Sequence, residues 1–248
     1  MSKQFHFRRS LAAILALGLV VSSAWAAPAA IAEGNETVES GAILEKYLTA
    51  YKKSPESLRG MTMSVEMHAA IPRLGREGGM KAVRSISLSG EVSYGGMTFD
   101  GHDSIKRDVI ARYLQAEVEA SKQPSIGLTP DNYKFKYWGV RGSGDWQLYL
   151  FEVTPRRKAP GLFEGWLWVE SKTGLPVREQ GTFVKSPSVF LKRVDFVRDF
   201  DVRSGTARPT NVTSTIVTRI VGEARLSIHY DGYEPTPPAP TAPTVASQ

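Results

Sequence analysis

The chain has 248 residues, with 31 Lys and Arg against 25 Asp and Glu, 42% hydrophobic residues and no cysteine. That length suffices for a sizeable core, and the missing cysteine excludes a disulfide framework and a lipidation site behind a leader. The formal charge of +6 falls to about +3 once three basic leader residues are set aside, too balanced for a nucleic-acid binder.

Lys3, Arg8 and Arg9 precede an apolar run from Leu11 to Val21 and the small-x-small triplet Ala24-Trp25-Ala26. This is the pattern of a cleavable signal peptide over 1–26; the run falls short of the ~20 residues that span a bilayer. A cysteine-free exported chain fits a bacterial periplasm better than a disulfide-rich secretion route. Residues 27–37 read as a flexible lead-in, 38–233 as a single folded domain, and 234–248 as a disordered Pro/Ala/Thr-rich tail.

From Val38 to Lys53, the apolar residues Ile43, Leu44, Tyr47, Leu48 and Tyr51 recur at the spacing of a helix with one buried stripe. Leu58 to Ile71 then alternates, with Met61, Met63, Val65 and Met67 against Thr62, Ser64, Glu66 and His68, as a half-buried strand does. Arg84 to Tyr94 reads as another, placing Ile86, Leu88, Val92 and Tyr94 together. Gly78-Gly79 and Gly95-Gly96 read as turns. A second helix is expected from a cap at Asp103 or Ser104 to about Ala120, with Ile105, Val109, Tyr113, Leu114 and Ala116 as its stripe.

After a break over 123–130, strands are expected near 132–140, 146–154, 162–170, 176–184, 189–202, 210–221 and 223–233. The links are Gly142-Ser143-Gly144, Pro160-Gly161, Thr173-Gly174, Ser186-Pro187, Gly205 and Gly222. Links of hairpin length make an antiparallel meander. Such a sheet buries its one apolar face by curling around its helices. The expected fold is therefore α+β: a curled antiparallel half-barrel with helices packed on the concave face. Arg178, Lys192, Arg198 and Asp201 are expected on the outward face.

Catalytic chemistry has little to stand on. His68, His102 and His229 form no ligand pair at metal spacing, and there is no G-x-S-x-G elbow, cysteine nucleophile or phosphate-cradling loop. Asp100, His102 and Asp103 could hold a metal or serve as base and orienter, but they also lie where a helix starts and needs a cap. Glu164 and Glu170 sit on one strand ~20 Å apart, too far for a glycosidase pair. No catalytic residue, metal site or cofactor is expected. The basic run Arg156-Arg157-Lys158 reads as a hairpin tip, either a solvated turn or a contact for anionic headgroups. Trp138, Trp146, Trp166 and Trp168 could anchor a rim, or simply pack with a partner for each indole N–H.

Pro155 to Tyr233 resembles the LolA/LolB family of periplasmic lipoprotein carriers, of the outer-membrane lipoprotein-sorting type. The resemblance rests on Phe163-Glu164-Gly165 with Trp168-Val169-Glu170, on Thr173-Gly174-Leu175-Pro176-Val177-Arg178, and on Val194-Asp195-Phe196 with Phe200. Gly205, Pro209, Arg219 and Gly222 complete it. It implies a half-barrel covered by helices that holds acyl chains in the gap between them. Arg84 is a positional candidate for the strand arginine of the soluble carrier.

On that reading the cavity would be lined by Met61, Met63, Val65, Met67, Ile86, Leu88, Val92, Phe163, Leu167, Val169, Phe190, Phe196 and Phe200. Ile105, Val109, Tyr113 and Leu114 would cover it. The expected function is a non-enzymatic, monomeric periplasmic carrier of lipid or lipoprotein acyl chains; the alternative is a structural or protein-interaction module of the envelope. A filled core and a ligand cavity share one alternation pattern, so both remain open.

Overall fold

In the computed structural model, residues 36–122, 127–143, 146–185, 191–219 and 222–236 are described. The expected signal peptide, Phe190, the Ser186-Pro187 link and the tail beyond 236 lie outside them. Helix α1 (Glu36–Ser57) begins within the stretch read as a lead-in. Ten strands follow: β1 (Met61–Ile71), β2 (Arg76–Ile86), β3 (Val92–Gly101), β4 (Tyr133–Arg141), β5 (Leu148–Pro155), β6 (Phe163–Glu170), β7 (Pro176–Phe183), β8 (Leu191–Arg203), β9 (Thr206–Thr218) and β10 (Glu223–Pro235). Between β3 and β4 run α2 (Asp103–Ile105), a π turn (Lys106–Ile110) and α3 (Ala111–Ser121), without a break.

All ten strands form one sheet in the order β3-β2-β1-β10-β9-β8-β7-β6-β5-β4. It is an α+β half-barrel: an open, curled antiparallel sheet with its helices on one face. Two meanders, β1 to β3 and β4 to β10, are joined by the β1–β10 pair. The edges are therefore β3 and β4, and the chain passes from one edge to the other through the second helical region.

Three sequence expectations change here. Arg84 to Tyr94 is not one strand but the end of β2, a turn and the start of β3. Ser87 N donates to Glu91 O at 2.9 Å and Gly90 N to Ser87 O at 2.9 Å, with Gly90 at φ +94°. Ile86 faces Val92 and Arg84 faces Tyr94 across the hairpin, while Leu88 sits at the tip, 81% exposed. The turn residues Ser87-Leu88-Ser89 carry the apolar/polar alternation across a reversal of direction, which is why the run reads as continuous.

The Gly-Gly pairs are not turns; they lie inside β2 and β3. A Cβ at Gly78 would stand 3.2 Å from the Ile105 side chain and one at Gly79 2.8 Å from the Asp100 carboxylate, so both glycines admit close neighbours. The tail boundary also moves, since β10 runs to Pro235.

The buried side chains form two clusters. One lies between β1, β2, β10 and the second helical region and includes Met63, Val65, Met67, Met80, Ile105, Ile110, Leu114 and Ile228. The other lies between β4, β5, β6, β8 and α1 and includes Tyr47, Phe151, Val153, Phe163, Leu167, Val169 and Phe196. Each large apolar side chain removed from water in this way contributes ~1.5–3 kcal/mol. Polar contacts fix α1 in place: Tyr47 OH donates to Leu128 O (3.1 Å), Leu128 N to Tyr51 OH (3.1 Å) and Lys46 Nζ to Ser171 O (2.7 Å).

Candidate binding site on the concave face

Residues paired across an antiparallel ladder point to the same face, so the register reads out the concave surface row by row. The central row crosses all ten strands: Phe99, Met80, Met67, Ile228, Val212, Arg198, Glu179, Leu167, Phe151, Tyr137. One ion pair stands in a line otherwise made of apolar and aromatic residues. It marks the seam between the clusters: Val212 belongs to the first and Leu167 to the second.

Arg198 Nη1 donates to Glu179 Oε2 at 3.1 Å; the Glu179 side chain is 10% exposed and that of Arg198 41%. Burial pushes the Glu179 carboxyl above its ordinary range, against the pull of Arg198. Arg198 also feels Tyr113 and Glu117 of α3 and Tyr230 of β10, and it acts on Tyr51 of α1. It therefore lies on the helix side of the sheet, flanked by both covers, and solvent still reaches it. The sequence reading that put Arg198 on the outward face is overturned. Its position shares the parity of Val194 and Phe196, which are buried, and parity outweighs residue type in a strand with one covered face.

A second polar group clamps α3 to the sheet. Arg84 gives two hydrogen bonds to Glu117 Oε1, from Nε at 3.0 Å and Nη2 at 2.7 Å, while Tyr94 OH donates to Glu117 Oε2. Arg84 also lies 5.9 Å from the centroid of the Tyr230 ring and donates to Met63 Sδ at 3.5 Å. Tyr230 and Tyr113 act on each other electrostatically. Burial, reinforced by Glu117, raises Tyr94 and Tyr113; Tyr230 is raised by burial, then by Tyr113 and Glu117. All three remain neutral hydroxyls at physiological pH. Arg208 stands 5.5 Å from the Tyr233 ring centroid, and its Nε is buried without a hydrogen-bond partner among the described residues.

The expected lining residues are distributed unevenly. Met63, Val65, Met67, Ile86 and Val92 are buried in the first cluster, with Ile105 and Leu114 above them. Met61, Val109 and Tyr113 pack against that cluster and are partly buried. Phe163, Leu167, Val169 and Phe196 are in the second cluster. Phe200 is half-buried on β8, and Leu88 lies outside both clusters at the hairpin tip. In both clusters the face is packed with its own side chains. Sequence reasoning missed Glu179 altogether; in β7, Glu179 pairs with the fully buried Leu167, and only the register reveals that.

Two of the residues weighed for catalysis make local contacts at the start of the second helical region. His102, not Asp103 or Ser104, caps the second helical region: its Nδ1 accepts from Ser104 N at 3.1 Å. Asp103 pairs with Lys106 at 2.7 Å. Among the described residues there is no group of three or more His, Cys, Asp or Glu able to hold a metal. Trp138 meets Trp166 edge-on at 5.2 Å between centroids and donates to Glu152 Oε2 at 2.8 Å, while Trp146 in the β4–β5 link is 79% exposed.

No protein-family model matches the chain, and no curated protein matches it. Among solved structures, it is similar to a LolA superfamily protein from Nitrosomonas europaea at 14% identity, covering 78% of this chain and 92% of that one, with a TM-score of 0.38. It is also similar to a DUF1329 family protein from Desulfovibrio piger (12% identity, 78% and 92% covered, TM-score 0.42). A third is an outer membrane lipoprotein-sorting protein domain from Vibrio parahaemolyticus (10% identity, 77% and 91% covered, TM-score 0.39).

Proposed function

We propose that this protein is a non-enzymatic carrier of lipid or lipoprotein acyl chains in the bacterial periplasm, and that it takes them at the seam of the concave face. The observation that supports this is the division of that face into two apolar clusters, each under its own helix, with a solvent-reached polar pair between them. Half-buried apolar groups pack against the first cluster (Tyr113, Ile216) and, from α1, against the second (Leu44, Leu48, Tyr51). A chain entering there meets apolar surface on either side. The methionines Met61, Met63, Met67 and Met80 suit such a task, because flexible thioethers repack around an irregular guest.

The energetics allow it. Burying about fourteen methylenes yields ~11 kcal/mol gross at ~0.8 kcal/mol each. Association and ordering cost at least ~4 kcal/mol of that. Because the clusters are packed, opening them draws on the remainder of at most ~7 kcal/mol, so affinities of ~10 μM or weaker are expected from the acyl chain alone.

The test is mass spectrometry of lipid extracts from the protein released from its own periplasm without detergent. A stoichiometric lipid or acylated peptide is the expected result. A clean protein that takes up no fluorescent fatty acid afterwards would overturn the proposal in favour of an envelope interaction module.

A further inference from the structure

The central row is apolar over five strands on one side of the ion pair, from Val212 to Phe99, and over three strands on the other, from Leu167 to Tyr137. At ~4.8 Å between strands, these stretches measure ~19 Å and ~10 Å. An ion pair in this position does not have the form of a closed salt bridge. Glu179 is buried and its Oε2 is engaged, while Arg198 keeps 41% of its side chain open. A guanidinium carries five N–H donors in a planar fork, and the bond to Glu179 uses a single one. Carboxylates and phosphates are bound by two parallel N–H donors of such a fork.

The surroundings favour an anion. Tyr113 and Tyr230, which act electrostatically on Arg198, present hydroxyls that stay protonated. Around these tyrosines and Tyr233, the arginines Arg84, Arg198 and Arg208 outnumber the carboxylates Glu117 and Glu179. Arg84 is committed to Glu117 through two bonds. Arg208 also has a donor to spare among the described residues, its Nε, but that atom is buried. Arg198 has spare donors on a side chain that is 41% exposed, and it sits where the two apolar clusters meet.

We infer that Arg198, with the Tyr113 and Tyr230 hydroxyls beside it, receives the anionic head group of the carried molecule, a carboxylate or a phosphate, whose acyl chain lies on the apolar row. This deepens the carrier reading and rests on it. The ligand class is thereby narrowed to acidic amphiphiles, with neutral glycerides and fatty alcohols as poor cargo. Glu179 holds the guanidinium in position and tempers its charge.

The experiment measures binding of palmitate, lysophosphatidic acid and hexadecanol to the full chain by isothermal titration below their critical micelle concentrations. Wild type is expected to bind at least one of the acidic ligands tenfold or more tighter than hexadecanol. Arg198→Gln/Glu179→Gln, an uncharged pair that leaves no buried charge alone, is expected to bring all three to the hexadecanol level. Glu179→Gln alone retains the arginine and is expected to widen the preference, so the idea stays testable if the double variant does not fold.

No preference in wild type, or a preference that survives loss of Arg198, would overturn the head-group site while leaving the carrier intact. Failure of all three ligands to bind would sink both the carrier reading and this inference. Displacement of palmitate by millimolar inorganic phosphate without acyl binding would mark a free-anion site and refute the amphiphile form.

Discussion

The Arg84–Glu117 clamp permits a sharp test of how α3 is held on the sheet. The two side chains are 14% and 21% exposed, and both guanidinium bonds land on one carboxylate oxygen. Removing one partner of a pair this enclosed strands the other, at a cost of ~3–5 kcal/mol for full burial. With some water access at both groups, the lower end is expected, ~3 kcal/mol. Glu117→Leu also deprives Tyr94 of its acceptor, which adds ~1 kcal/mol. For a domain of this size each kcal/mol moves Tm by ~2–4 °C, so either single variant should melt ~6–16 °C lower. The double variant Arg84→Met/Glu117→Leu replaces two charges with apolar groups and is expected within ~1 kcal/mol of wild type. Urea titration followed by far-UV circular dichroism gives the four corners of the cycle, and the coupling implied by these values is ~6 kcal/mol. Single variants within 0.5 kcal/mol of wild type, or a double equal to the sum of the singles, would refute the clamp.

Three further outcomes follow from the geometry. Ile86→Ala should cost ~2–5 kcal/mol, whereas Leu88→Ala should stay within ~0.5 kcal/mol; similar losses in urea midpoints would mean that the 87–90 turn is misplaced. Gly181→Ala puts a Cβ 2.4 Å from Glu164 O and 2.6 Å from Phe163 Cδ2, so a loss of ~1–3 kcal/mol is expected in the same assay, and a neutral result would refute the close β6–β7 approach. For Glu179, burial holds the folded pKa above the unfolded value, so its contribution is full below the ordinary carboxylate range and is lost as pH rises through the folded pKa. The stability of Glu179→Gln relative to wild type should therefore grow from pH 4 to pH 8, and a flat difference would contradict the burial argument.

Much of the fold was legible because alternation and hairpin-length links are local signals. β1 and β4 to β10 lie close to where periodicity put them. The β2–β3 hairpin was not, because Ser87-Leu88-Ser89 keeps the alternation through the turn. Gly78 and Gly79, read as a turn, proved to be places where a neighbour comes close, which depends on residues farther along the chain such as Asp100 and Ile105. The candidate site was half legible. The apolar halves of the row follow from parity, but the pairing of Arg198 with Glu179 joins residues on different strands, and only register brings them together. Arg198 itself could have been placed inward from its parity with Phe196; residue type argued otherwise.

The central pair also bears on why this sheet carries charge on its covered face. A buried ion pair brings little net stability, since desolvating two charged groups consumes most of what their attraction returns. A pair of leucines at 179 and 198 would continue the row, seal the seam between the clusters and hold the sheet at least as well. Folding alone gives no reason to prefer charge there. The open part of Arg198 reduces its own desolvation cost, but it leaves donors to spare where two apolar clusters meet, which is a poor arrangement for a core and a suitable one for an amphiphile. If Arg198→Leu/Glu179→Leu folds with a higher Tm than wild type yet no longer distinguishes palmitate from hexadecanol, the charge is kept for the ligand and not for the fold. If that variant is destabilised and its ligand preference is unchanged, the pair is structural after all.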